Sequence, residues 1–151
     1  MDSVWVSSEN SPTFEISITA DCVALHGNII QLLSALTSFV RNVREARSDI
    51  DAVSRELHSL QTVLELLEED ADLSPPDLVE RTVVVVKHCS SILDKVEASI
   101  TILNDPGLSK QQKRAQWLNS GVSEISDFRA TLEAHRIALG LALDLIGVYV
   151  S

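Results

Sequence analysis

Apolar residues recur along this chain every three or four positions, the period of a helix with one buried face. The clearest case runs over about 49–70. There Ile50, Val53, Leu57, Leu60, Leu64 and Leu67 alternate steps of three and four, while Asp51, Arg55, Glu56, His58 and Glu65 fall between them. Upstream, Ile18, Cys22, Leu25, Ile29, Leu32, Leu36 and Val43 keep the same period, with Phe39 and Val40 both near the missing step. This predicts a first helix over about 16–46. Arg41, Arg44 and Arg47 gather at its C-terminal end, where positive charge suits the helix dipole.

Ser74-Pro75-Pro76-Asp77 marks a boundary: the serine is a candidate cap and the prolines fit a first helical turn. Val83 to Val86 alone would favour extended backbone. However, Val85, Cys89, Ile92, Val96, Ile100 and Leu103 hold the helical period, so a third helix is predicted over about 75–103. Asn104-Asp105-Pro106-Gly107 ends it with turn chemistry. Ser109 caps a short basic helix carrying Lys110, Lys113 and Arg114 and ending near Trp117. The region about 109–148 is then helical with a break near 119–121. Its last stripe is Val122, Ile125, Leu132, His135, Leu139, Ala142 and Ile146, with Phe128 near the missing step.

The pattern predicts an all-α fold: an antiparallel four-helix bundle with a short additional helix or kink before the last long helix. Residues 15–151 form one domain in this reading. Residues 1–14 read as a flexible leader, because Ser7, Ser8, Glu9, Asn10, Ser11 and Pro12 cluster without periodicity.

Composition narrows the picture. The chain is 45% hydrophobic but only 4% aromatic, which disfavours an aromatic-rich β-sandwich. Its net charge of −10 disfavours a general nucleic-acid role, since little in the balance would neutralise phosphates. The two cysteines, Cys22 and Cys89, sit in apolar stretches and read as buried thiols of a cytoplasmic protein. Residues 1–13 lack the basic start of a signal peptide.

Candidate chemistry is sparse. His26, His58, His88 and His135 lie on different predicted helices, and His88 and Cys89, being adjacent on one, point about 100° apart. The acidic run Glu65-Leu66-Leu67-Glu68-Glu69-Asp70-Ala71-Asp72 reads as a solvated helix end, and Asp144 as a partly exposed residue. With no recognised catalytic or phosphate-binding motif, the expectation is a non-enzyme with no cofactor, no metal, no small-molecule substrate and no nucleic acid.

The stretch from Cys22 to Val40 changes the question. It holds nineteen residues without a formal charge when His26 is neutral, about the length that spans a bilayer. Its nine large apolar side chains favour insertion by roughly 3–5 kcal/mol. Burying six of them in a protein core is worth on the order of 10–18 kcal/mol gross. At rest this helix therefore belongs in the bundle. Val23, Ile30 and Leu33 exposed together would form an apolar patch unusual for a monomer.

Four segments also resemble, in order, a known family. They begin at Glu15-Ile16-Ser17-Ile18-Thr19-Ala20, Ser54-Arg55-Glu56-Leu57, Val83-Val84-Val85-Val86 and Arg114-Ala115-Gln116-Trp117. Together they are similar to the HeLo-like helical N-terminal domain of fungal STAND (NLR-like) receptors, over about 15–146. The resemblance implies an effector or signalling module acting by oligomerisation, with membrane-targeted cell death as one outcome and recruitment to the plasma membrane on activation. The alternative it leaves open is a homotypic protein–protein adaptor with no membrane activity. In the first case the helix bearing Val23, Ile30, Leu33 and Leu36 meets the membrane and Arg41, Arg44 and Arg47 meet lipid phosphates. In the second, the partner is a further copy or another helical signalling domain.

Overall fold

A computed structural model describes the backbone of residues 2–150 and the side chains of residues 18–149. The described backbone is almost entirely helical and contains no strand. There are four long helices, α1 (Asp2–Asn42), α2 (Arg47–Glu69), α3 (Pro76–Leu103) and α5 (Val122–Val150), and one short one, α4 (Lys110–Gln116). The side chains of the expected leader, 1–14, lie outside the described residues.

The connections are tight. α1 stops at Asn42, four residues before the expected 46: Val43 leaves helical geometry at φ −131°, ψ 88°, and a single 3₁₀ turn over Arg44–Ala46 leads into α2. Breaking there keeps both Val43 and Ala46 in the core, while the Asn42 side chain donates to Asn104 Oδ1 at 2.8 Å. A second 3₁₀ turn, Ala71–Leu73, precedes α3. Here the expected Ser74 cap gives way: its hydroxyl donates back to the Asp70 carbonyl at 3.0 Å, and Pro75 occupies the cap position instead. Asp105 Oδ1 accepts from the Gly107 amide at 2.9 Å, closing the turn after α3. Ser109 and Gln112 then form a reciprocal capping box that starts α4.

The break expected near 119–121 is a π-turn, Trp117–Gly121, which joins α4 to α5 without leaving helical backbone. Its cause is visible in the spacing. Lys113, Trp117, Gly121 and Ile125 are all buried and lie four residues apart. On a straight α-helix each such step would drift about 40°. A wider turn absorbs the drift and keeps all four facing inward.

In the bundle α1 lies against α3 and α2, and α5 lies against α2 and α3. The core is one continuous cluster: the α1 line from Cys22 to Phe39, all six predicted α2 positions, and Trp117, Ile125, Phe128, Leu132, Leu139 and Ile146 from the last helical region. A small second cluster of Ile18, Ala71 and Val79 seals one end. In α3 the buried line passes through Val86 and Leu93 rather than the predicted Val85 and Ile92, which are half-buried beside it. Four consecutive valines offer no polar contrast from which to choose the inward one.

Candidate interaction surfaces

Three surfaces and a few buried polar contacts hold the molecule's chemistry. The first is the outer face of α1. Val23 is 57% exposed and Ile30 61% exposed, but Leu33 is half-buried against the core and Leu36 is fully buried. Leu36 falls four residues after Leu32 and seven after Ile29, so it belongs to the buried seam. Of the expected patch of Val23, Ile30 and Leu33, two residues face out and one does not, and Leu36, expected to meet a membrane or partner from the same helix, is in the core. The segment Ile18–Asn42 is the one described helix apolar and long enough to cross a membrane, a test that core helices also pass.

The second surface is basic and lies where α1 ends and α2 begins. Arg41, Arg44 and Arg47 line an open groove of about 670 Å³ with Thr37, Val40, Ile50, Asp51 and Ser54. A neighbouring groove of about 290 Å³ shares Arg41 and Arg44 and adds Asn42, Glu45, Lys110, Gln111 and Arg114. Arg114 Nε lies 3.1 Å from Glu45 Oε1. The fold thus joins the arginine cluster noted in the sequence to two α4 cations that sequence spacing could not associate with it.

The third surface was not anticipated. Ile137, Leu141, Leu145, Val148 and Tyr149 are all about half or more exposed along α5. Beside them runs a groove of about 650 Å³ lined by Pro75, Pro76, Leu78, Arg81, Leu145, Val148 and Tyr149, continuing into a smaller one bounded by Val85 and Leu141. The signal lay in the sequence: 137, 141, 145 and 148 step by four, four and three, parallel to the buried 132, 139, 142, 146 line. α5 carries two apolar stripes and buries one of them. Asp144 lies exposed on the same helix, as expected.

Among titratable groups, His26 Nε2 lies 3.3 Å from Glu68 Oε1 across α1 and α2, without the alignment of a hydrogen bond. Asp21 Oδ2 is buried nearby without a hydrogen-bond partner. Burial, with Glu68 and Asp21 adding negative charge, pushes the Cys22 thiol up to about 12; burial alone pushes Cys89 up to about 12. Both cysteines are free and buried, so neither presents a thiolate nucleophile at neutral pH.

Two histidines that the sequence kept apart come together. His135 Nε2 is 3.1 Å from His88 Nδ1, and His135 Nδ1 is 2.7 Å from the Thr131 carbonyl. The carbonyl only accepts, so neutral His135 carries its proton on Nδ1 and accepts from His88 Nδ1–H through Nε2. His135, expected on the buried stripe, sits instead half-buried at the α3–α5 edge, where this bond satisfies it. The α2–α5 interface has its own polar clasp, with Arg136 Nε donating to Glu56 Oε1 at 2.7 Å. Among the described residues no three His, Cys, Asp or Glu side chains converge as a metal site.

The arrangement offers apolar docking along α5 and anion binding at the α1–α2 corner. The family model for the pigment biosynthesis cluster protein PigL N-terminal region matches residues 14–149. No curated protein and no solved structure matches the chain.

Proposed function

For a chain that belongs to the pigment biosynthesis cluster protein PigL N-terminal family, we propose a role as the N-terminal signalling module of a fungal STAND (NLR-like) protein, working by self-association. The observation that carries this is the second apolar stripe of α5. Ile137, Leu141, Leu145 and Val148 have the spacing of a helix–helix seam and face solvent beside Leu78 and Val85. Contiguous apolar surface of this kind marks a protein contact. We take the four long helices as an antiparallel bundle, a reading supported by their short connections. Among the described residues, the buried Thr82 and Lys113 each hydrogen-bond within the bundle.

A second reading, membrane-targeted cell death, is supported by the apolar length of Ile18–Asn42 and by the arginines at its end. Its energetic requirement is large. Ile18, Leu25, Ile29, Leu32, Leu36 and Phe39 are buried, and exposing them costs about 9–18 kcal/mol, against a net domain stability of about 5–15 kcal/mol. α1 leaves only if the bundle opens, so clustering precedes insertion in this reading.

The test is oligomeric state by sedimentation, followed by leakage of anionic vesicles with the protein free and artificially clustered. Leu141→Glu/Leu145→Glu is expected to abolish self-association while keeping the helical circular dichroism signal. A wild-type protein that stays monomeric at every concentration, with no vesicle leakage when clustered, would sink the proposal. Leakage lost in Val23→Glu/Ile30→Glu would favour the membrane reading. That exposed pair is the suitable probe, since a change at Leu36 would disrupt the core itself.

A further inference from the structure

We infer that the α1–α2 corner with α4 is a binding site for a compact polyphosphate, such as a multiply phosphorylated inositol ring, either free or as a lipid headgroup. The two adjoining grooves draw Arg41, Arg44 and Arg47 from the end of α1 and the start of α2, and Lys110 and Arg114 from α4. Only Glu45 and Asp51 oppose them. Of 12 cations and 22 acids in the chain, five and two line these grooves, so this corner carries +3 and the remainder −13.

That imbalance is unspent. Arg114 is paired with Glu45, but Arg41, Arg44, Arg47 and Lys110 form no ion pair or side-chain hydrogen bond among the described residues. A chain this rich in carboxylates has ample means to neutralise them and leaves them facing a cleft. Guanidinium forks converging from different elements suit phosphate oxygens, which they bind two at a time. The larger groove has the volume of small-molecule sites, about 300–1,000 Å³. The size of the ligand follows from charge beyond the site. A long polyanion such as RNA would run onto a surface of opposite balance and be repelled, whereas a headgroup meets only the corner. The site shares three arginines with the membrane reading above but requires no insertion.

The experiment is calorimetric titration of the whole chain with inositol hexakisphosphate, with inorganic phosphate and a short RNA duplex as comparison probes. Arg41→Gln/Arg44→Gln is compared with Lys95→Gln/Arg129→Gln, an equal charge change at exposed positions elsewhere. Expected are saturable binding of the polyphosphate, a loss of roughly tenfold or more in the first variant and little change in the second. Absence of binding, equal loss in both variants, or RNA or inorganic phosphate binding as tightly would overturn the inference. Co-sedimentation with phosphatidylcholine vesicles containing a few per cent of a bisphosphorylated phosphoinositide then separates the sources. Capture that free inositol hexakisphosphate competes away assigns the site to lipid. Binding of the free polyphosphate alone assigns it to a soluble ligand. Headgroup binding without vesicle leakage leaves this inference standing while the membrane reading fails.

Discussion

Asn104 shows how much one side chain carries at the basic end of the bundle. Its Oδ1 accepts from Asn42 at 2.8 Å and from the buried Lys113 ammonium at 3.3 Å, and its Nδ2 donates to Ser38 at 3.2 Å. One amide thus ties the ends of α1 and α3 to α4. Asn104→Ala strands a mostly buried ammonium and is expected to lower stability by about 2–3 kcal/mol in urea unfolding. Asn104→Asp keeps both acceptor contacts and should cost clearly less. In the sequence this residue reads only as the first position of a turn; its partners lie nine, 62 and 66 residues away. The two cysteines, by contrast, were legible as buried thiols, and their titration gives a signed expectation. Both folded thiols are raised from 9.0 to about 12, so the unfolded chain loses protons first. Their contribution to stability is complete below about pH 9 and falls away as pH rises toward about 12. Unfolding midpoints measured between pH 8 and 11 should decline, less so in Cys22→Ala/Cys89→Ala relative to its own value at pH 8.

At the scale of elements, legibility tracked polar contrast. α2 alternates apolar and polar residues sharply, and all six predicted core positions are buried. α3 blurs through its valine run, and α5, apolar on two sides, hid one stripe behind the other. The Asn119-Ser120-Gly121 break is helical because Trp117 holds it. An added Cβ at Gly121 would stand 2.6 Å from Trp117 Cε3 and 3.3 Å from Leu103 Cδ1. Trp117 itself is fully buried with its ring 5.6 Å from Phe39, which limits its retreat. Gly121→Ala is therefore expected to destabilise by about 1–3 kcal/mol. Gly140 also lies in α5 but meets nothing within 4 Å, so Gly140→Ala should stabilise by about 0.4–1 kcal/mol. Thermal melts of the pair, opposite in sign, test whether the π-turn is held by packing or merely tolerated.

At the scale of the molecule, helix content was readable from periodicity, whereas the way separate helices join to form the surfaces was not. Spacing shows which residues share a face of one helix, but not which helices become neighbours. Lys110 and Arg114 join Arg41 and Arg44, and His88 meets His135, only through tertiary contacts. The charge separation that results has a geometric consequence. The cationic corner sits at one end of the bundle, while the apolar stripe of α5 runs along the flank toward the other end. On the proposed reading, a body held by this corner to a negatively charged sheet would stand upright, and every copy would offer its greasy side to its neighbours at the same height. Tumbling in three dimensions would become lateral search in two, with the contact surfaces already aligned. Chemical crosslinking at fixed total protein should rise sharply when anionic vesicles are added and return to its solution level in Arg41→Gln/Arg44→Gln.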